Sequence, residues 1–205
     1  MRTIPTTTWG RDMPNVSNEN KVIAKTVAAV FGGSPRVVEY LDADGASRVA
    51  ILHSTDHPWP DTTAYCTIGL SEVAIPRDVD PPLGVELLAV ADSALHPQFA
   101  EALSTAAFFW INDGWEPEPG ACFREVLRMH LPDTRLPHFF LTDPYLWERE
   151  FGSMVVGSRT VAWLLAVPVS ESEADFAEEN GPEALEELFE RHEIDITDLD
   201  RAPVV

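Results

Sequence analysis

His53 and His57 are four residues apart, the spacing that on a helix turns two imidazoles to one side and makes a metal pair. The stretch holding them, "HSTDHPWP", contains Pro58 and Pro60, which forbid a helix. Both therefore read as loop histidines, and no metal or other cofactor is expected. "GLSE" at 69–72 lacks the second glycine of a nucleophile elbow, which leaves Ser71 without a catalytic signature. The paired glycines of "FGGSP" follow a helical stretch rather than a strand, so they stop a helix and do not cradle a phosphate. Cys66 and Cys122 lie singly in apolar surroundings, with no CxxC spacing, and read as free buried thiols. Glu86, inside "GVELL", is the acid of most interest. A carboxyl in an apolar strand must find a partner or face water, and alternation with Val85 and Leu87 places it on the solvent side. The enzyme alternative is a hydrolase with a site around His53, His57 and His138 that matches no known signature.

The elements that position these residues follow from periodicity and punctuation. Residues 1–16, rich in Thr, Pro and Asn, read as a flexible arm, and 17–205 as one domain. Ile23, Val27, Val30 and Phe31 fall at helical spacing behind Ser17, and Gly32-Gly33 ends that helix. Two β-branched runs joined through Asp44-Gly45 predict a hairpin. Strands follow at 63–70 and 84–91, separated by a connection through Pro76, Pro81 and Pro82 that cannot be interior strand. Pro97 opens a helix whose apolar face is Phe99, Leu103, Ala106, Ala107 and Trp110. "FREVLRMHL" fits a strand or a short helix. "LPHFFLT" and "TVAWLLAVPVS" read as buried strands. Ser170 and Glu173 then form a capping box, and Gly181-Pro182 separates two acidic helices. This order is not strict βαβ alternation. It predicts an α+β fold, with a mixed, mainly antiparallel sheet flanked by helices.

Charge narrows the class of partner. With 34 acidic against 14 basic residues the net charge is −20, which excludes a nucleic-acid binder, since a phosphate backbone needs clustered Lys and Arg. Nine Glu and four Asp against one Arg lie between Glu171 and Asp200, twelve of the net twenty negative charges. There "HEIDITDLDR" alternates acids with Ile194, Ile196 and Leu199, suiting an edge strand or an extended segment packed on the body. An acidic surface of this kind keeps a protein soluble, and it also steers a basic partner. "MRTIPTTTWGRDMPN" has no apolar core of signal-peptide length, and no segment reaches about 18 uninterrupted apolar residues, so a cytoplasmic protein without membrane contact is expected.

In order along residues 18–202, "AYCTIGLSEV", "GVELLAVA", the helix opening at Pro97, "LPHFFLTDPYLWE", "VAWLLAVPVSESEADFAEENGPEALEELF" and "IDITDLDR" resemble the suppressor of fused domain family, particularly its bacterial single-domain members. The matching residues are Gly69, Leu70 and Ser71; Val85, Glu86 and Leu87; Leu141, Thr142, Asp143 and Pro144; and Glu186 to Phe189. The resemblance implies a protein without enzymatic activity. Animal members bind a zinc-finger transcription factor through an extended peptide, and bacterial relatives look like immunity proteins or antitoxins encoded beside polymorphic toxins, often nucleases. Animal members grip their peptide with a second domain that does not follow in these 205 residues, so that clamp and its contact residues are not carried over. No position near "PGACF" matches the family's acidic peptide contact.

The expected partner is thus a basic toxin encoded nearby, bound through exposed aromatics flanked by acids, because Trp and Tyr give large contact area while carboxylates steer. The candidates are Asp56 with Trp59; Trp115 with Glu116 and Glu118; and Asp143, Tyr145, Trp147 and Glu148. In the last group Phe139, Phe140 and Leu141 belong to the core strand, and Asp143-Pro144 turns the chain. Tyr145 and Trp147 beyond it either cap the core or form the interface. A regulatory interaction module without a toxin is the alternative within the binding class.

Overall fold

The computed structural model describes residues 2–3, 16–147 and 150–205. Most of the expected N-terminal arm, and Glu148 among the candidate contacts, lie outside the described residues. The strands are β1 (Arg2–Thr3), β2 (Arg36–Leu41), β3 (Arg48–Thr55), β4 (Thr62–Ile68), β5 (Leu83–Asp92), β6 (Cys122–Phe123), β7 (His138–Thr142), β8 (Met154–Val156) and β9 (Arg159–Val169). The helices are α1 (Asn18–Phe31), α2 (Gln98–Asp113), α3 (Glu171–Asn180) and α4 (Pro182–His192). Among the described residues the strands form one sheet in the order β1-β2-β3-β4-β5-β9-β7-β6, with β8 also paired to β9. Every pairing is antiparallel except β5 with β9, as the mixed, mainly antiparallel expectation requires.

The sheet separates two apolar clusters. One face packs Tyr65, Leu87 and Leu141 against Phe99, Leu103 and Ala106 of α2. The other packs Leu52, Leu88 and Val167 against Ile23 and Val27 of α1, Ala174 of α3 and Leu185 of α4. Both faces of the central strands are therefore covered, and all seven residues of β4 are buried.

Local chemistry sets the boundaries. The Ser17 hydroxyl accepts from the Asn20 amide at 3.1 Å to start α1, and Gly32, at φ 65°, ends it. The β2–β3 hairpin turns through Gly45 at φ 70°. Ser170 accepts from the Glu173 amide while the Glu173 carboxylate accepts from the Ser170 amide, the reciprocal box read from the sequence. Pro182 then opens α4 immediately after Gly181.

Three expectations change. "FREVLRMHL" is neither a continuous strand nor a helix: Phe123 ends β6, and hydrogen-bonded turns bury Val126 and Leu127. "HEIDITDLDR" is not an edge strand. Asp195 and Asp198 accept from backbone amides two residues on, making tight turns that bury Ile196 and Leu199. Glu86 does not face water; it is fully buried, because β5 is a central strand with no solvent face. The β8–β9 hairpin had no sequence-level prediction.

Candidate functional site

The most heavily engaged buried polar group is Glu86 on β5. The Glu86 carboxylate accepts from the Thr67 hydroxyl at 2.6 Å, the Ser71 hydroxyl at 2.7 Å, and the amides of Gly69, Leu70 and Ser71 at 2.9, 3.2 and 3.1 Å. Gly69, at φ 100°, aims those amides inward, and the chain passes so close that a Cβ on Gly84 would meet the Ser71 carbonyl oxygen at 2.1 Å. Burial outweighs these donors and holds the Glu86 pKa above the ordinary carboxylate value.

The three histidines of the enzyme alternative occupy different places. His57 sits on the β3–β4 connection with its Nδ1–H on the Asp56 carbonyl. His53 is buried on β3 beside His96, ring centroids 4.6 Å apart, with an unpartnered Nδ1. Burial, then the neighbouring His96 and Arg36 charges, push its pKa down to about 4. His138 on β7 lies between Glu125 and Glu171, the one grouping of three metal-ligand types within 4.8 Å among the described residues. Its ring does not suit a metal. The Glu125 amide donates to Nδ1 at 2.8 Å, which makes Nε2 the protonated nitrogen, and Nε2–H donates to Glu171 at 2.8 Å. His138 is a clamp joining β7 to α3, and neither of its ring nitrogens is open to a ligand.

The candidate contacts lie on three connections. Asp56 and Trp59, 48% exposed, are on the β3–β4 loop, where the Asp56 carboxylate accepts from the Asp61 amide at 3.2 Å. Trp115, 40% exposed, leans on Phe109 at 4.5 Å, while Glu116 and Glu118 both pair with Arg77, at 3.5 and 2.8 Å. Beyond β7, Asp143 and Tyr145 are exposed. Trp147 is buried, packed on Phe31 at 5.3 Å and Phe151 at 5.5 Å, so of the two readings offered for it the core one holds. Partial burial, then the Glu186 carboxylate, raise the Tyr145 phenol to about 12.

Asp143, Pro144 and Tyr145 line a groove of about 430 Å³ with Phe151, Ser153, Ala162 and Trp163. Sequence reasoning found its rim and missed its floor. The floor depends on where β7 and β8 leave β9, and no local residue pattern encodes that. At the other end of β7, beside the His138 clamp, Arg124 is held by Glu171, Asp175 and Glu178 at 2.7, 2.8 and 2.9 Å, which neutralises that cation.

The profile of the suppressor of fused protein family (SUFU) matches residues 45–202. The chain belongs to the suppressor of fused family. It is 39% identical over 191 residues to a protein named immunity protein YqcF of Bacillus subtilis, covering 93% of this chain and 99% of that one. A suppressor of fused homologue from Neisseria gonorrhoeae has the same fold, with TM-score 0.70 at 17% identity, covering 92% of this chain and 97% of the other. The Sufu-Fu complex contains a chain matched with TM-score 0.65 at 13% identity, covering 91% and 92%. Drosophila Suppressor of Fused aligns with TM-score 0.59 at 13% identity over 89% of this chain, which spans 50% of that protein. The family's matched motifs fall on defined elements: Gly69 to Ser71 cage Glu86, and Leu141 to Pro144 carry the exit of β7 to the groove rim. Among the described residues no helix is long and apolar enough to cross a membrane.

Proposed function

We propose that this suppressor of fused family member is a cytoplasmic immunity protein that binds a cognate toxin one to one and blocks it by covering its surface. The observation that carries the reading is the 39% identity to an immunity protein across nearly the full length of both chains. The charge of −20 supports it, because a toxin that cuts nucleic acid has a basic surface, and an acidic protein presents the same field as the substrate. Binding without chemistry is supported by the use to which the buried polar groups are put: Glu86, His138 and Glu173 are each tied into hydrogen bonds that join elements of the fold. Asp56, Trp59, Trp115, Glu116, Glu118, Asp143 and Tyr145 are the proposed contacts, and Trp147 anchors the same connection to the core through Phe31 and Phe151. The likeness to a chain of the Sufu-Fu complex favours, as a second reading, an interaction module that serves regulation.

The test is co-expression with whatever reading frames flank this gene, a toxin-like one being the expected partner. Immunity predicts rescued growth and a stable 1:1 complex at moderate salt. Growth arrest in the presence of both proteins, with no complex on size-exclusion chromatography, removes the immunity reading. A complex with a neighbour that is harmless on its own selects the regulatory one.

A further inference from the structure

The β9 edge away from β5 is paired at both ends, by β8 over 159–161 and by β7 over 165–169, but not at Ala162, Trp163 and Leu164 between them. β7 lies along it only as far as Leu165, opposite Thr142, and β8 begins only at Val161, opposite Met154. Peptide groups alternate sides along a strand. The Thr160 amide donates to Pro82 on the β5 side at 2.8 Å, so the Trp163 amide and carbonyl face the opposite side, into the gap between β7 and β8. Continuing the β7 register sets Pro144 opposite Trp163, and proline has no N–H to give that carbonyl. The groove lies at this break. Its floor is Phe151, Ala162 and Trp163, with the indole fixed by donation to the Gly152 carbonyl at 3.2 Å. Its wall is Tyr145, 45% exposed. The Asp143 carboxylate stands on the rim with no ion-pair partner among the described residues, and Glu186 adds negative potential behind Tyr145.

A carbonyl without a strand partner, a carboxylate with no ion-pair partner among the described residues and an aromatic wall together describe the surroundings of a guanidinium. The planar cation stacks on a phenol ring, gives paired N–H donors to a carboxylate, and has donors left for a backbone oxygen. A lysine ammonium, compact and strongly hydrated, would use the carboxylate without the stacking. We propose that the break in the sheet at Trp163 is a receptor for one arginine side chain of the protein partner. This deepens the immunity reading and rests on the chain's acting by binding a basic protein.

Two experiments decide it. Titration of the full chain with N-acetyl-arginine methylamide, followed by NMR, should move the Trp163 indole and the Asp143 and Tyr145 amide signals saturably. The movement should vanish in Asp143→Asn, and the uncharged citrulline analogue should not cause it. If those signals stay fixed, or citrulline moves them equally, the receptor is disproved whatever the partner proves to be. In the purified complex, Asp143→Asn and Tyr145→Ala should each weaken binding roughly tenfold, while Asp44→Asn at the β2–β3 turn leaves it unchanged. A complex indifferent to both rim changes overturns the receptor and leaves immunity standing. If no complex forms at all, the immunity reading falls, and the arginine titration still decides, independently, whether the groove is a receptor.

Discussion

Five donors converge on Glu86, and Arg159 stands one step behind them, its Nε–H on the Ser71 hydroxyl at 3.3 Å. A glutamine there would turn an amide N–H towards backbone N–H groups, leaving donors facing donors in a dry site. Glu86→Gln should therefore lower stability by about 2–4 kcal/mol in urea unfolding. Because burial raises the folded-state pKa, the folded chain holds its proton more tightly than the unfolded chain. Stability should fall as pH climbs from 4.5 through that raised value, a slope the Gln variant lacks. His53 acts in the opposite sense. Its folded pKa is lowered to about 4 from 6.5, so the unfolded chain takes up the proton first and stability drains away as pH falls through that interval. Thermal unfolding of His53→Phe between pH 7 and 4 should show a shallower acid decline than the parent chain. The sequence marked Glu86 as an anomaly and rightly set it opposite Val85 and Leu87, but took that face for solvent, whereas it is the face that buries Leu88 and Val90: alternation names two faces and does not say that both are covered.

At the scale of elements, the last residues of the chain are strapped to α3 by one buried pair. The Arg201 guanidinium reaches both Glu173 oxygens at 2.6 and 3.0 Å and the Pro168 carbonyl at 3.0 Å, while the Val204 amide donates to the same carboxylate at 3.0 Å. Arg201 also lies over the Phe189 ring of α4, 5.5 Å from its centroid. Removing the cation leaves a buried charge uncompensated, so Arg201→Ala should cost about 3–5 kcal/mol in equilibrium unfolding. It should also speed hydrogen exchange in the first turn of α3. The capping box was legible in "SESE" because its two bonds span three residues. The second use of Glu173 was not, since Arg201 is 28 positions away and nothing local joins them. The same contrast holds elsewhere. Helix ends, the Asp44-Gly45 hairpin and the buried strands were readable from short patterns, whereas the His138 clamp and the groove floor come from the order in which strands meet.

For the whole molecule, charge is the feature that acts at a distance. Exposed acids concentrated on α3, α4 and the turns after them give a field that reaches about one Debye length, roughly 8 Å at physiological salt. The association rate with a basic partner should accordingly fall by at least about tenfold between low and high salt in stopped-flow mixing, with a much smaller change in dissociation. The sheet that carries this surface is completed late. β5 is edged by β9, yet all of residues 93–158 lie between them in the chain. On the ribosome, β5 leaves the exit tunnel with one flank bare and waits for most of the remaining polypeptide before that flank is closed. During that interval it is an adhesive ribbon, and neither the full sheet nor the groove beside Trp163 can exist until β9 has emerged to cover it.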